Sequence, residues 1–370
     1  MSEKINYSDM SDEDLVNLLK GEKRIESEYS TKQMAYKVLL NSAYGALGQQ
    51  YFKFFDIRQA EAITLTGQLT IKWIEVFLNE YLSKICGEED SKEPFVVYMD
   101  TDSSYVTLEK LVNKVGLKDA PVNQIIDFMD KACRKISKEI DKEYLRLSNY
   151  TNSFKHNIVM ERESLADKGF WTRKKRYALN VYDMEGVRFK DPHLKIMGLE
   201  TARSSTPAIC REKLEEAIRL ILTTDEKQVI EFIESFRKEY MNLPIGEIAN
   251  TTGVSDIEKH ITKNGYAKGT PIHVRGSILY NNWIKSNKFE SKYECIRSGD
   301  KIKTVYLTMP NPIGENTIAF IKNPPEEMNL KNYVDYGKQY AKTFLTPLQT
   351  ILECIGWEWE NKTTLENFFQ

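Results

Sequence analysis

The 370 residues carry 52 Lys and Arg against 54 Asp and Glu, a formal net charge of −2, with 41 % hydrophobic and 29 % charged residues. That is the make-up of a globular chain with room for two or three compact units, and it excludes a global pull toward polyanions, so any nucleic-acid contact has to come from local basic clusters. No apolar run reaches the ~18 residues of a membrane span and Met1-Ser2-Glu3-Lys4 opens no signal-peptide segment, while the five cysteines and four histidines are scattered singly, which argues against a disulfide framework, a zinc site or a His-rich metal centre.

In chain order, residues 1–29 are polar and helix-prone, with Ser11 and Asp14 placed as a capping box and Leu15, Leu18 and Leu19 as a thin apolar stripe. Such a stripe cannot build a core and predicts packing against something else. From Thr31 the helical pattern strengthens through Lys37-Val38-Leu39-Leu40-Asn41-Ser42-Ala43-Tyr44-Gly45. Lys37, Asn41, Tyr44 and Gly48 recur at helical spacing and share one face. A cation, an amide, a phenol and bare backbone together suit a nucleotide; the same face also reads as an ordinary solvated surface.

Residues 59–86 predict a long amphipathic helix whose apolar positions include Ile63, Leu69, Trp73, Phe77, Tyr81 and Ile85, ended at Gly87. Two short strands follow, Phe95 to Tyr98 and Tyr105 to Leu108, joined by the acidic turn Met99-Asp100-Thr101-Asp102-Ser103. Two carboxylates one residue apart repel each other, and a hard divalent cation relieves that repulsion. An Asp-x-Asp by itself is equally an ordinary hairpin turn. A second helix is predicted from about Pro121 to Tyr150, with Ile125, Phe128, Met129, Ala132, Ile136 and Ile140 on one side. Helices around an antiparallel hairpin place the chain in the α+β class.

Glu161-Arg162-Glu163 adds carboxylates that could approach the acidic turn or pair with the cations downstream. Those cations are Arg173-Lys174-Lys175-Arg176, flanked by Trp171 and Tyr177 and continuing as a strand, on which Lys174 and Arg176 would face one way and Arg173 and Lys175 the other. Basic and aromatic residues interleaved in this way suit a phosphate-backbone track. Near Ile196-Met197-Gly198-Leu199-Glu200 the character changes, and helices are predicted from Thr206-Pro207 to about Leu222 and from Glu226 to Tyr240, a mostly helical unit. Lys268 to Gly276 reads as a Gly-rich loop with two cations that could touch a phosphate, and His273 as a packed polar residue. At the end, Leu365, Phe368 and Phe369 form an i, i+3, i+4 apolar cluster that fits either a docking peptide or a helix folded back on its own core.

Taken together these segments resemble family B DNA polymerases, closest to the replicative enzymes of T-even-type bacteriophages. Lys37 to Gly45 matches the fingers motif KxxxNSxYG, Tyr98 to Ser103 the DTDS metal turn, Lys174 to Ala178 the KKRYA strand, and Lys195 to Pro207 the entry to the thumb, four motifs in the family's order. The resemblance implies a palm of antiparallel sheet packed on helices, partial helical fingers and a mostly helical thumb, divided as fingers 1–50, palm 51–198, thumb 199–360 and a clamp-binding peptide 361–370.

It also implies roles. Asp102 and Asp100 would be the catalytic and metal-binding carboxylates, with Glu163 an accessory acid, holding two Mg²⁺ ions for which Mn²⁺ could substitute. Lys37, Asn41, Tyr44 and Thr101 would bind the incoming nucleotide. Gly45, Lys174, Lys175, Arg176 and Tyr177 would contact DNA, and Leu365, Phe368 and Phe369 a sliding clamp. The implied partners are primer–template DNA, dNTPs and that clamp, in the cytoplasm of an infected bacterial host, with no membrane. The family's other metal motif, an Asp before a Ser-Leu-Tyr-Pro-Ser run, does not occur in this sequence, nor do the exonuclease acids. The expectation is therefore the C-terminal part of a split or truncated enzyme that needs an N-terminal partner chain; the alternative is a non-catalytic DNA- and clamp-binding module or an inactive fragment.

Overall fold

The computed structural model describes residues 10–89, 93–263 and 265–360. Two compact units divide the chain, Met1–Glu161 and Arg162–Gln370. Both mix helices with small antiparallel sheets, and the fold is α+β.

The first unit opens with α1 (Asp12–Leu47), one unbroken helix of 36 residues. The Ser11 side chain caps it by accepting from the Asp14 amide at 3.2 Å, and Asp12, Glu13 and Asp14 favour the positive end of the helix dipole. Not one residue of α1 is buried. Leu39 is 66 % and Leu40 72 % exposed, so apolar side chains ring the helix rather than line one side of it. After the aromatic turn Tyr51 to Phe55, α2 (Ile57–Cys86) starts at the Asp56 N-cap. The Arg58 guanidinium hydrogen-bonded to Asp56 holds that carboxyl below the usual carboxylate range. The helix stops at Gly87, whose φ of 74° is a left-handed cap conformation suited to glycine.

The buried stripe of α2 is Ala60, Thr70, Ile74, Leu78 and Leu82. Of the apolar positions expected to form it, Ile63, Leu69 and Ile85 are exposed, while Trp73 and Phe77 pack at the edge of the core. The sequence offers apolar residues on more than one face of α2, and only the neighbouring elements select which face is covered. Here that neighbour is α4 (Val122–Tyr150), which contributes Ile140, Tyr144 and Leu147 to the same cluster. Trp73 Nε1 donates to Glu143 at 3.3 Å, and the Arg146 guanidinium lies 5.4 Å from the Trp73 ring centroid. Burial, with Asp141 nearby, pushes the Tyr144 phenol up to about 12, so it stays a neutral donor, here to Met160 Sδ at 3.4 Å.

Between these helices lie β1 (Val96–Asp100) and β2 (Ser103–Val106), a two-stranded antiparallel sheet with Tyr98 opposite Tyr105 and Asp100 opposite Ser103. Its base is braced from α2. Asn79 Oδ1 accepts from the backbone amides of Phe95 at 2.7 Å and Val96 at 3.0 Å, and both residues are buried. The short helix α3 (Glu109–Lys114) follows; Lys114 reaches the Ile85 carbonyl at the end of α2, at 2.7 Å.

The second unit begins with a three-stranded antiparallel meander, β3 (Ser164–Arg173), β4 (Arg176–Met184) and β5 (Val187–Met197), with β4 central. Two helices follow, α5 (Ala208–Thr223) and α6 (Glu226–Tyr240), each within two residues of its predicted bounds at either end. A second sheet orders Thr317–Phe320, Lys301–Tyr306 and Asn250–Gly253, with Lys301–Tyr306 in the middle. One core joins Phe170 and Ala178 of the meander to α5, α6 and the later helices, centred on Phe236, Tyr240, Tyr340 and Phe344.

The stretch Lys268 to Gly276 is not one loop. Helix Ile272–Ser286 starts inside it, and Gly276 is buried where a Cβ would stand 2.8 Å from the Ala319 amide nitrogen, so its lack of a side chain serves helix–sheet packing. His273 is partly buried, and burial, followed by the nearby His260, lowers its pKa.

Replacing Asn79 with Ala leaves two buried amides without an acceptor. We expect the first unit to lose about 2 kcal/mol and amide exchange at Phe95 and Val96 to accelerate. Unchanged exchange at those two amides would show that Asn79 does not brace the hairpin.

Candidate functional site

The acidic turn forms as expected. With Asp100 and Ser103 paired, Thr101 and Asp102 are the two loop residues at the tip. The turn is closed by the Asp102 amide donating to the Asp100 carbonyl at 2.7 Å and by Ser103 Oγ donating to the same oxygen at 3.1 Å. Thr101 donates from Oγ1 to Asp100 Oδ1 at 3.1 Å, orienting that carboxylate. Thr101 sits at φ 56°, a region that β-branched side chains seldom adopt, and such strain gathers where a turn holds functional groups. Thr101 and Asp102 are exposed and Asp100 is half-buried.

The turn supplies hard oxygen donors of the type Mg²⁺ prefers, and Mg²⁺ commonly takes one or two carboxylates plus substrate phosphates. Among the described residues no group of three or more His, Cys, Asp or Glu could hold a metal by itself. Glu163 belongs to the second unit, where its carboxylate pairs with Lys195 at 2.7 Å. The adjacent Arg162 is an ion-pair partner of the fully buried Asp183.

Lys37, Asn41, Tyr44 and Gly45 lie on the last turns of α1 and are all exposed. Tyr44 is anchored sideways: its hydroxyl meets Thr64 Oγ1 of α2 at 2.9 Å. Thr64 already spends its proton on the Ala60 carbonyl at 2.9 Å, which makes Tyr44 the donor. A Cβ at Gly45 would meet nothing within 4 Å, so that face is open to a bulky neighbour.

The basic run corrects one expectation. Arg173 ends β3, Arg176 opens β4 opposite it, and Lys174 and Lys175 form a two-residue hairpin turn, with Lys175 at φ 61°. The four cations therefore do not alternate along one strand. The chain reverses because β3 and β4 both bury apolar residues against one core, and the polar Lys-Lys pair is the segment left to turn in solvent. Lys174 and Lys175 are exposed, whereas Arg176 is bound to Glu200 at 3.0 Å and Tyr177 is buried, its ring 6.2 Å from Trp171. Behind the turn, Arg176, Glu200, Arg203, Thr206, Lys342 and Thr350 are among the residues lining a polar groove of about 300 Å³. The Leu365, Phe368 and Phe369 cluster lies outside the described residues.

Residues 17–355 match the DNA polymerase family B profile. The chain belongs to DNA polymerase family B. It is 39 % identical over 354 residues to the DNA-directed DNA polymerase of Enterobacteria phage T4, covering 92 % of this chain and 39 % of that protein. It is 37 % identical over 374 residues to the DNA-directed DNA polymerase of Escherichia phage RB69, covering 97 % of this chain and 41 % of that protein. A DNA polymerase 1 of Aeropyrum pernix is more distant, at 20 % identity over 258 residues. The chain thus spans about two fifths of the length of the two phage relatives. No helix among the described residues is long and apolar enough to cross a membrane.

Several supporting residues had not been assigned any role from sequence. Asn79 and Thr64 are single polar residues on an amphipathic helix, with no local signal of a partner. Glu200 and Gly198 stand in the Met-Gly-Leu-Glu stretch whose change of character was visible, although its contact with the basic turn was not.

The Tyr44–Thr64 contact has a direct test. Tyr44→Phe and Thr64→Ala should each cost about 1 kcal/mol, and the double variant should cost less than their sum. Full additivity in thermal unfolding would mean that the hydroxyls are not coupled.

Proposed function

We propose that this chain is the C-terminal part of a replicative, DNA-directed DNA polymerase, with fingers at 1–50, palm at 51–198, thumb at 199–360 and a clamp-binding peptide at 361–370. The observation that supports it most is the two-carboxylate turn, exposed at its tip and braced at its base, in a chain 39 % identical to a phage polymerase. In this reading Asp102 and Asp100 bind the catalytic Mg²⁺ ions, for which Mn²⁺ would serve. When bound, the ions lower the barrier to attack by the primer 3′-hydroxyl and neutralise charge on the leaving pyrophosphate. Thr101 orients the Asp100 carboxylate and borders the incoming nucleotide. Lys37 provides a point charge for the triphosphate, with Asn41 beside it. Tyr44, fixed by Thr64, presents its ring to the nascent base pair, and Gly45 leaves room for it.

Further along, Lys174 and Lys175 would contact duplex phosphates, Arg176 and Tyr177 would carry that turn, and Glu163, held by Lys195, is the accessory acid. Leu365, Phe368 and Phe369 would dock on a sliding clamp. Two carboxylates do not complete a two-metal site, so the reading includes an N-terminal polypeptide that supplies the other metal-binding acid, the exonuclease and the rest of the fingers and palm. The exposed apolar residues of α1 and of the first turns of α2 support such a partner, since water disfavours them. The setting would be the cytoplasm of an infected bacterial host.

The test is Mg²⁺-dependent primer extension by the chain alone and together with such an N-terminal polypeptide. Extension should need both, Asp102→Ala should abolish it, and Lys37→Ala should raise the dNTP KM roughly tenfold or more. Association of the two polypeptides with duplex binding but no extension would leave the alternative, a DNA- and clamp-tethering module.

A further inference from the structure

The basic turn is short, polar and solvent-exposed, yet its backbone is tightly confined. Gly198, at φ 65°, lies so close beneath it that a Cβ there would stand 2.1 Å from the Lys175 carbonyl oxygen and 3.1 Å from Arg176 Cγ. Any residue other than glycine would both strain the local backbone and push the Lys175 peptide away. Two residues on, Glu200 is largely buried and holds two guanidiniums on one oxygen. Arg176 lies 3.0 Å from Oε2 and Arg203 3.2 Å from the same atom. Thr172 adds a hydrogen bond to the Arg176 carbonyl at 3.3 Å, tying the β3 side of the turn to the β4 side.

Charge bookkeeping separates the four cations. Arg176 is half-buried and paired with Glu200, a carboxylate it shares with Arg203, so it is poorly placed to serve as a mobile phosphate ligand. Arg173, Lys174 and Lys175 are exposed. Lysine is a flexible point charge, so two adjacent lysines on a wandering turn would lose much of their binding free energy to ordering. Holding the peptide between them reduces that loss.

We propose that Gly198 and Glu200 are positioning residues for the basic turn. The bare Gly198 seats the Lys175 carbonyl, Glu200 fixes Arg176 at the foot of β4, and together they hold Lys174 and Lys175 where both meet phosphates of the duplex. This deepens the DNA-contact reading given above and rests on it.

The experiment is a thermodynamic cycle on the full 370-residue chain, with a fluorescently labelled primer–template duplex as the probe and Kd measured across a KCl series. Lys174→Ala/Lys175→Ala should weaken binding roughly tenfold and make the slope of log K against log salt shallower by about 2, one unit for each lost phosphate contact. Gly198→Ala alone and Glu200→Gln alone should reproduce much of that loss and the same change in slope. In the double-lysine background each should add less than about a further twofold, since the contact they position is already gone. Glu200→Gln keeps side-chain shape and leaves the backbone alone, so it carries the test if Gly198→Ala fails to fold. Should the double-lysine variant bind as tightly as the parent chain, the DNA contact itself fails and the positioning role with it. If the lysines matter but Gly198→Ala and Glu200→Gln have no effect, or effects that add fully to theirs, the contact stands and the positioning role is overturned.

Discussion

A two-stranded hairpin is barely stable in water, and two carboxylates at its tip work against it further. The acidic turn can therefore be held in place only from outside. Asn79 ties down the amides of Phe95 and Val96 at the hairpin's base, and Val96 and Met99 pack against Ile74, Leu78 and the α4 residues Ile140 and Tyr144. Thr101 and Asp102 face solvent at the tip, while Phe95 and Val96 at the hairpin's base are buried. Rigid helices behind a short turn give carboxylates a fixed spacing without burying their charge, which is what a carboxylate that must bind cations needs.

The basic turn solves a related problem with the opposite sign of charge. Lys174 and Lys175 stand at the tip of the β3–β4 hairpin, and their mutual repulsion is tolerated in water. Their restraint comes from below, through the Gly198 contact and the Glu200 ion pairs. In both hairpins the residues that face outward are simple and the residues that hold them are specific. The first unit carries a contrast within itself. The second half of α2 sets one stripe, Ile74, Leu78 and Leu82, into the core, whereas α1 buries no residue along its whole length and displays Leu39 and Leu40 to solvent. A helix with its apolar side chains distributed this way gains little from burial among the described residues.

Much of the fold is legible in the sequence, because the relevant signals are local. The Ser11 cap, the Gly87 stop and Pro121 before α4 act within one helical turn, so their sequence neighbours suffice to place them. The same holds for the geometry of the Asp100–Ser103 turn, where the Asp102 amide and Ser103 Oγ both donate to the Asp100 carbonyl. What went astray involved choices between faces or directions. Ile63, Leu69 and Ile85 have the right spacing for a core and are exposed, since a partner helix covers only one of the available sides. Arg173 to Arg176 has the length and flanks of a strand and is instead a reversal, because strands on both sides were competing for the same core.

The sequence by itself determined the α+β class, the bounds of the long helices α2, α4, α5 and α6, the acidic turn and the family membership carried by its motifs, all properties encoded by residues near one another in the chain. Tertiary structure alone decided that Asn79 braces the hairpin, that Thr64 orients Tyr44, that Glu163 pairs with Lys195, and that Gly198 lies against the Lys175 carbonyl. These partners are 16, 20, 32 and, by subtraction of 175 from 198, 23 residues apart. No periodicity or propensity reaches across such separations; only the burial of apolar surface, which folds distant segments onto one another, brings them into contact.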